Sequence, residues 1–190
     1  MVLVAFTGGV FFTQAASHGT GLGKWTAEFP VTFSGGPGGS GTAQDGQTTS
    51  AGINFNQTNI TTVTFQFSFS DRYRFSTLSP AGVTFKVTSP GNISGESTLR
   101  PGQSTATSVT IREVCKAPDP EEYSAANQAE AAKAVSTRHP ANENGTGDWT
   151  IEITVTREYM SPIHPVGSIA WTASTRVDSY TLELSEKLAE

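Results

Sequence analysis

Apolar residues recur at every second position in several runs of this chain. Trp25, Ala27, Phe29, Val31 and Phe33 share one phase, with Thr26, Glu28, Pro30 and Thr32 on the other. Val63, Phe65, Phe67 and Phe69 alternate with Thr64, Gln66 and Ser68. Val83, Phe85 and Val87 repeat the pattern, as do Thr107, Val109 and Ile111. Trp149, Ile151, Ile153 and Val155 form another such row, Ile169 and Trp171 begin one, and Tyr180, Leu182 and Leu184 make the last. Period-two alternation predicts strands with one buried face and one solvated face, the habit of antiparallel sheets. Pro30 marks its strand as an edge or a bulge, because proline lacks the N–H that a ladder needs. Seven or eight strands at this spacing predict an all-β fold: an antiparallel two-sheet sandwich, jelly-roll or immunoglobulin-like.

Two segments break the pattern. Residues 34–52 (SGGPGGSGTAQDGQTTSAG) hold no large apolar side chain and are expected to form a long surface loop, since little burial would offset their ordering entropy. Near residue 119 the periodicity changes. Asp119 suits a helix cap, Pro120 the first helical position, and Glu122 follows the cap by three. Tyr123 to Val135 is alanine-rich, which favours a helix ending at His139-Pro140. Its least polar stripe is Tyr123, Ala126, Ala131 and Ala134, small groups that predict one inserted helix lying on the sandwich surface.

The leading segment stands apart. The first charged residue is Lys24, so residues 1–23 read as an apolar attachment segment and 24–190 as a single sandwich domain. Val2, Val4, Phe6, Val10 and Phe12 are its attachment residues. The apolar run is short for a membrane span and lacks the basic start of a signal peptide. Three readings stand: an anchor or signal remnant touching a membrane through residues 2–16, a strand of the chain's own core, or a strand donated to a neighbouring subunit.

Composition narrows the function. Charged residues are 15% of the 190, while Thr and Ser number 27 and 20. Net charge is −5, which excludes a nucleic-acid backbone as the main partner. A single cysteine excludes an internal disulfide and a cysteine-based zinc site. Asn-x-Ser/Thr triplets at Asn56, Asn59, Asn92 and Asn144 are candidate glycosylation sites, about twice the number chance would place here, and favour an extracellular or cell-surface location.

Chemistry is sparse. Residues 19–24 (GTGLGK) have neither the spacing nor the hydroxyl of a phosphate loop. There is no nucleophile elbow. His18, His139 and His164 are scattered through expected loops without metal-ligand spacing. Asn142 to Gly147 imitates the start of a calcium loop, but its first ligand is not acidic and Ile153 holds the twelfth place. Asp71 and Asp148 are candidates to meet at one end of the sandwich. Glu152 falls on a polar, solvated face, and Cys115 suits a small buried group. Trp25, Trp149 and Trp171 lie on the apolar phase and are expected in the core. A tryptophan on a concave face would instead stack on a sugar.

Residues 83–91 (VTFKVTSPG) and 144–151 (NGTGDWTI) carry a resemblance to extracytoplasmic jelly-roll and immunoglobulin-like modules, among them the P domain that follows secreted subtilisin-type proteases. The combination of an apolar start with a threonine-rich sandwich is similar to archaeal cell-envelope proteins. This resemblance implies attachment or assembly outside the cell. The expectation is a non-enzymatic structural subunit of a cell surface or filament, with no catalytic residue, metal or cofactor. Self-association or other envelope proteins are its expected partners. The alternative is an accessory module that binds glycans or proteins.

Overall fold

The computed structural model describes residues 10–12, 22–44, 46–71, 81–99, 105–157 and 168–187. Val2, Val4, Phe6, His18, His164 and residues 19–21 lie outside them. The strands in chain order are β1 (Val10–Phe12), β2 (Gly23–Glu28), β3 (Val31–Gln44), β4 (Thr48–Phe55), β5 (Ile60–Asp71), β6 (Ala81–Thr88), β7 (Ser94–Leu99), β8 (Ala106–Arg112) and β9 (Glu121–Ala125). The helix α1 (Gln128–Arg138) follows, then β10 (Gly147–Arg157), β11 (Ser168–Tyr180) and β12 (Leu182–Lys187).

Two four-stranded sheets, β3-β11-β5-β8 and β4-β10-β6-β7, enclose the main core. All their pairs are antiparallel. Counted from β3, the eight strands lie in the orders first-eighth-third-sixth and second-seventh-fourth-fifth. That double Greek key is a jelly roll, not the immunoglobulin order. The alternating rows build its interior: Val63, Phe65, Phe67, Phe85, Trp149, Ile151 and Ile153 are all buried. Phe67 stacks on Phe85 across the sandwich with ring centroids 4.5 Å apart.

The expectation of two sheets is corrected by a third, β1-β12-β2-β9, with α1 packed on it. It has its own core of Trp25, Ala27, Phe29, Cys115, Ala125, Ala131, Val135, Tyr180 and Leu184. Two expected single strands are each cut in two to make it. Pro30 separates β2 from β3, and Thr181 separates β11 from β12. At the join Thr181 N donates to Pro30 O at 3.1 Å. Because β2 pairs with β12 and β3 with β11, one two-stranded ribbon runs from the smaller lobe into the sandwich.

The expected helix start is also corrected. Residues 121–125 form β9, pairing Tyr123 with Trp25 and Ala125 with Gly23. The helix begins later, where Asn127 caps it by accepting from Glu130 N at 2.9 Å and Glu130 reaches back to Ala126 N at 3.2 Å. Its buried residues are Ala131, a member of the expected stripe, and Val135, which is not; Ala126 and Ala134 are exposed.

The expected loop over residues 34–52 is instead mostly strand: β3 runs on to Gln44 in one sheet and β4 starts at Thr48 in the opposite one. Its glycines serve as clearances. A Cβ on Gly41 would stand 3.0 Å from the Trp171 ring, and one on Gly39 3.3 Å from Ile53 Cδ1. Large core side chains thus press on bare backbone, and the burial comes from β11 and β4 rather than from β3 itself. Pro37 sits at a bulge on this edge strand, where its carbonyl accepts from the buried Thr175 hydroxyl at 2.6 Å.

Candidate functional site

The first five residues of β3, Val31 to Gly35, are all exposed. One edge of this stretch pairs with β11. No strand among the described residues pairs with the other edge. β9 covers the same side of the ribbon in the smaller lobe, alongside β2, but its pairing ends at Ala27. Phe55, the last residue of β4, reaches only as far as Gly36. The segment therefore projects beyond the covering sheet. It carries no charge, and it presents Phe33 at 70% and Val31 at 53% exposure.

Around it, Arg176 of β11 lays its guanidinium over the Phe33 ring, 4.3 Å from the centroid. Arg176 Nε also donates to Asp178 Oδ1 at 3.1 Å. The ion pair holds the cation over one face of the ring and leaves the ring edge and the strand edge open. Such a contact contributes about 0.5–1 kcal/mol when exposed. Natural sheets protect open edges with charges, bulges or covering elements. Here the bulge lies downstream at Pro37, and ahead of it the Arg176–Asp178 pair lies over one face of Phe33 while no described strand covers the edge itself.

The remaining surface is polar and mostly uncharged. On the second sheet, Thr48, Thr154, Thr84 and Thr98 stand in register across four strands, with hydroxyl pairs at 2.9 Å and 2.8 Å. Beside them Lys86 pairs with Glu152 at 3.1 Å, so Glu152 is the solvated surface charge expected. A shallow open depression over β5, β8 and β11 is lined by Gln66, Ser68, Ser108, Thr172 and Ser174, with no titratable group.

A polar cluster sits on the smaller lobe. Glu121 accepts from the Tyr123 hydroxyl at 2.8 Å, and the same oxygen stands 3.2 Å from Arg138 Nε and 3.3 Å from His139 Nε2. The Tyr123 hydrogen bond chiefly, with His139 and Arg138 adding charge, holds the Glu121 carboxyl below its ordinary range. Burial pushes the Tyr123 phenol up, and its bond to Glu121 adds to this. His139 is not the exposed loop residue expected: it ends α1 and packs edge-on against Phe29 at 5.3 Å. Because the folded state favours ionised Glu121, its stabilisation is complete above the unfolded carboxylate value and is lost as pH falls through the lowered folded value. Glu121→Gln is therefore expected to lower the melting temperature at pH 7, with the gap to wild type closing as pH falls through the lowered folded value. Melting curves across that range check it; a gap independent of pH would contradict the assignment.

The other sequence-derived candidates separate. Asp71 and Asp148 lie at opposite ends of the sandwich: Asp71 pairs with Ile169 near the connection from β3 to β4, Asp148 with Asn54 at the far end of β4. The imitation calcium loop is a turn in which Asn142 Oδ1 accepts from Asn144 N at 2.9 Å. Among the described residues no three His, Cys, Asp or Glu side chains stand together as a metal site would require. Cys115 is buried, and burial pushes its thiol up. Trp25, Trp149 and Trp171 are 3%, 0% and 2% exposed, so none offers a stacking face to a sugar. Asn56, Asn92 and Asn144 are exposed, whereas Asn59 is half-buried and its Oδ1 accepts from Asn142 N at 2.7 Å. All four stand at the end of the sandwich where β4 passes to β5, β6 to β7, and the chain enters β10. Of the attachment residues, Val10 and Phe12 lie in β1, whose backbone pairs parallel to β12 with Val10 beside Leu182. The open β3 edge is signalled in the sequence only by Pro30, which marks its strand as an edge or a bulge; residues 34–52 read as a loop, and phase alone puts Val31 and Phe33 in the core.

No protein-family model and no curated protein matches this chain. Among solved structures, that of Desmodium yellow mottle tymovirus aligns over 94% of this chain and 97% of its own, at 10% identity and a TM-score of 0.23. The VP2 subviral particle of infectious bursal disease virus aligns over 84% of this chain and 42% of its own, at 11% identity and a TM-score of 0.20. At these scores neither likeness bears on the function of this chain.

Proposed function

We propose that this chain is a non-enzymatic structural subunit that assembles with copies of itself outside the cytoplasm, held there through its apolar leading segment. The carrying observation is the segment Val31–Gly35: apolar, uncharged, exposed on both faces and open along one edge. A strand of this kind is a template for another chain. Contact there desolvates no charge on the strand, and pairing supplies main-chain hydrogen bonds plus burial of Val31 and Phe33. Three exposed Asn-x-Ser/Thr asparagines support the extracytoplasmic location. Membrane contact through residues 2–16 and pairing with other envelope proteins belong to the same reading.

Light scattering coupled to size exclusion tests it. The wild-type chain is expected to run above monomer mass, increasingly so with concentration, and Phe33→Asp to run as a monomer with an unchanged melting temperature. A wild type that stays monomeric at tens of micromolar, about the weak end of specific association, would sink the proposal.

A further inference from the structure

Resting on that reading, we infer that the occupant of the open β3 edge is the leading segment of another copy, residues 2–6, added as a strand beside Val31–Gly35. Three observations carry it. First, the edge needs a partner with little charge and alternating bulk, able to set large side chains beside Val31 and Phe33 on one face. Val2, Val4 and Phe6 supply that alternation, and residues 1–9 hold no charge. Same-face cross-strand neighbours are the unit by which an added strand is stabilised.

Second, the reach is sufficient. Val10 is the first of the described residues and lies in a sheet, and the eight residues from Val2 to Gly9 would span up to about 28 Å if extended. Five residues cover Val31–Gly35, leaving Thr7-Gly8-Gly9 as a tether.

Third, the side of departure selects another copy. On the ribbon, β1 flanks β12, the strand that β11 becomes. The open edge belongs to β3, the strand that β2 becomes. β1 thus lies on one side of the ribbon and the chain's own open edge on the other, with a strand docked there about three strand spacings or 14 Å from the β1 column. Reaching it would carry the tether over a sheet face that offers its backbone groups no ladder. A neighbour's edge, approached end-on, offers one. Each copy then gives one strand and takes one, which is met either by reciprocal exchange in a two-fold pair or by a head-to-tail contact that propagates.

Complementation between full-length variants tests this. Val4→Asp/Phe6→Asp spoils the donor and leaves the edge; Phe33→Asp spoils the edge and leaves the donor. A second acceptor variant, Phe33→Lys, guards against a folding defect, with melting temperatures as the control. Each variant alone is expected to be monomeric at concentrations where wild type assembles, a weakening of at least about tenfold. Mixed one to one, donor-defective and acceptor-defective chains should form a pair of twice the monomer mass that grows no further. If the Val4/Phe6 variant assembles like wild type while Phe33→Asp does not, self-assembly through β3 stands and this inference falls. If the mixture forms no pair, it falls likewise. A monomeric wild type removes both.

Discussion

Trp149→Ala is expected to destabilise the chain by about 3–5 kcal/mol, the range for truncating a fully buried aromatic. Trp149 is 0% exposed and lies between Phe55 and Phe65, with ring centroids 5.5 Å and 5.6 Å away. Its role exceeds bulk. The indole Nε1 donates to Gly145 O at 2.8 Å, tying the turn ahead of β10 to the core. That turn sits close: a Cβ on Gly145 would stand 2.9 Å from both Ile60 and Val114. Alanine would remove the ring contacts, open a cavity the flanking phenylalanines cannot fill, and leave a buried carbonyl without its donor. Trp149→Phe keeps much of the ring packing and loses the hydrogen bond, so it should fall well short of the alanine effect. Urea unfolding followed by circular dichroism checks both. A loss below about 2 kcal/mol for the alanine variant, with an unchanged slope, would mean that the aromatic row is not the packed centre.

The jelly-roll core was legible in the sequence because its strands carry their own burial signal. Val63–Phe69, Val83–Val87 and Trp149–Val155 alternate strictly, and every apolar member is buried. Strands stabilised by their neighbours gave no such signal. β3 has glycine at 35, 36, 38, 39 and 41, yet it pairs along most of β11. What makes it a strand is the apolar phase of β11 and β4 pressing on its bare backbone, which residues 34–44 do not encode locally. β7 is similar: Ser94–Leu99 has one large apolar residue and is held by β6. At 121–125 local preference pointed to a helix, and pairing with the edge of β2 prevailed, as tertiary context does over weak propensity. The third sheet was hidden for a related reason. Its strands come from β1 and β2 ahead of the sandwich, β9 between β8 and β10, and β12 at the far end, and no local pattern brings those together.

The candidate site was half legible. The alternation of Val31 and Phe33 marks a strand, but phase cannot tell a face covered by a second sheet from a face that runs past it. β4 ends at Phe55, opposite Gly36, and that single boundary turns two expected core residues into surface. The same chain begins with an apolar segment that alternates like a strand and is tied to the smaller lobe through the three residues of β1. An edge that no described strand covers and an apolar leading segment in one molecule are the two features that the proposed assembly would bring together.

The second large effect is expected at Trp25, and it tests whether the two cores unfold together. Trp25→Ala removes the largest side chain from a small core whose other buried members are three alanines, Phe29, Cys115, Val135, Tyr180 and Leu184. The ring is 3% exposed and its Nε1 donates to Ala125 O at 3.3 Å, so truncation also loosens the pairing of β2 with β9. About 3–5 kcal/mol is again the scale for the local structure, and a small core has less in reserve than the sandwich. The links between the lobes are few. Among the described residues they include backbone bonds at the join of the ribbon: Thr181 N bonds Pro30 O, and Tyr180 N bonds Asn59 O at 3.2 Å. Backbone ties of this kind hold the ribbon in register without merging the apolar interiors. Hydrogen exchange read by mass spectrometry should therefore show β2, β9, β12 and α1 losing protection first, while β5, β6 and β10 keep theirs. Uniform loss across both groups would instead make the chain one cooperative unit. The contrast bears on assembly: a lobe that opens on its own would release β1, and with it the leading segment, while the β3 edge of the sandwich stayed in place to receive one.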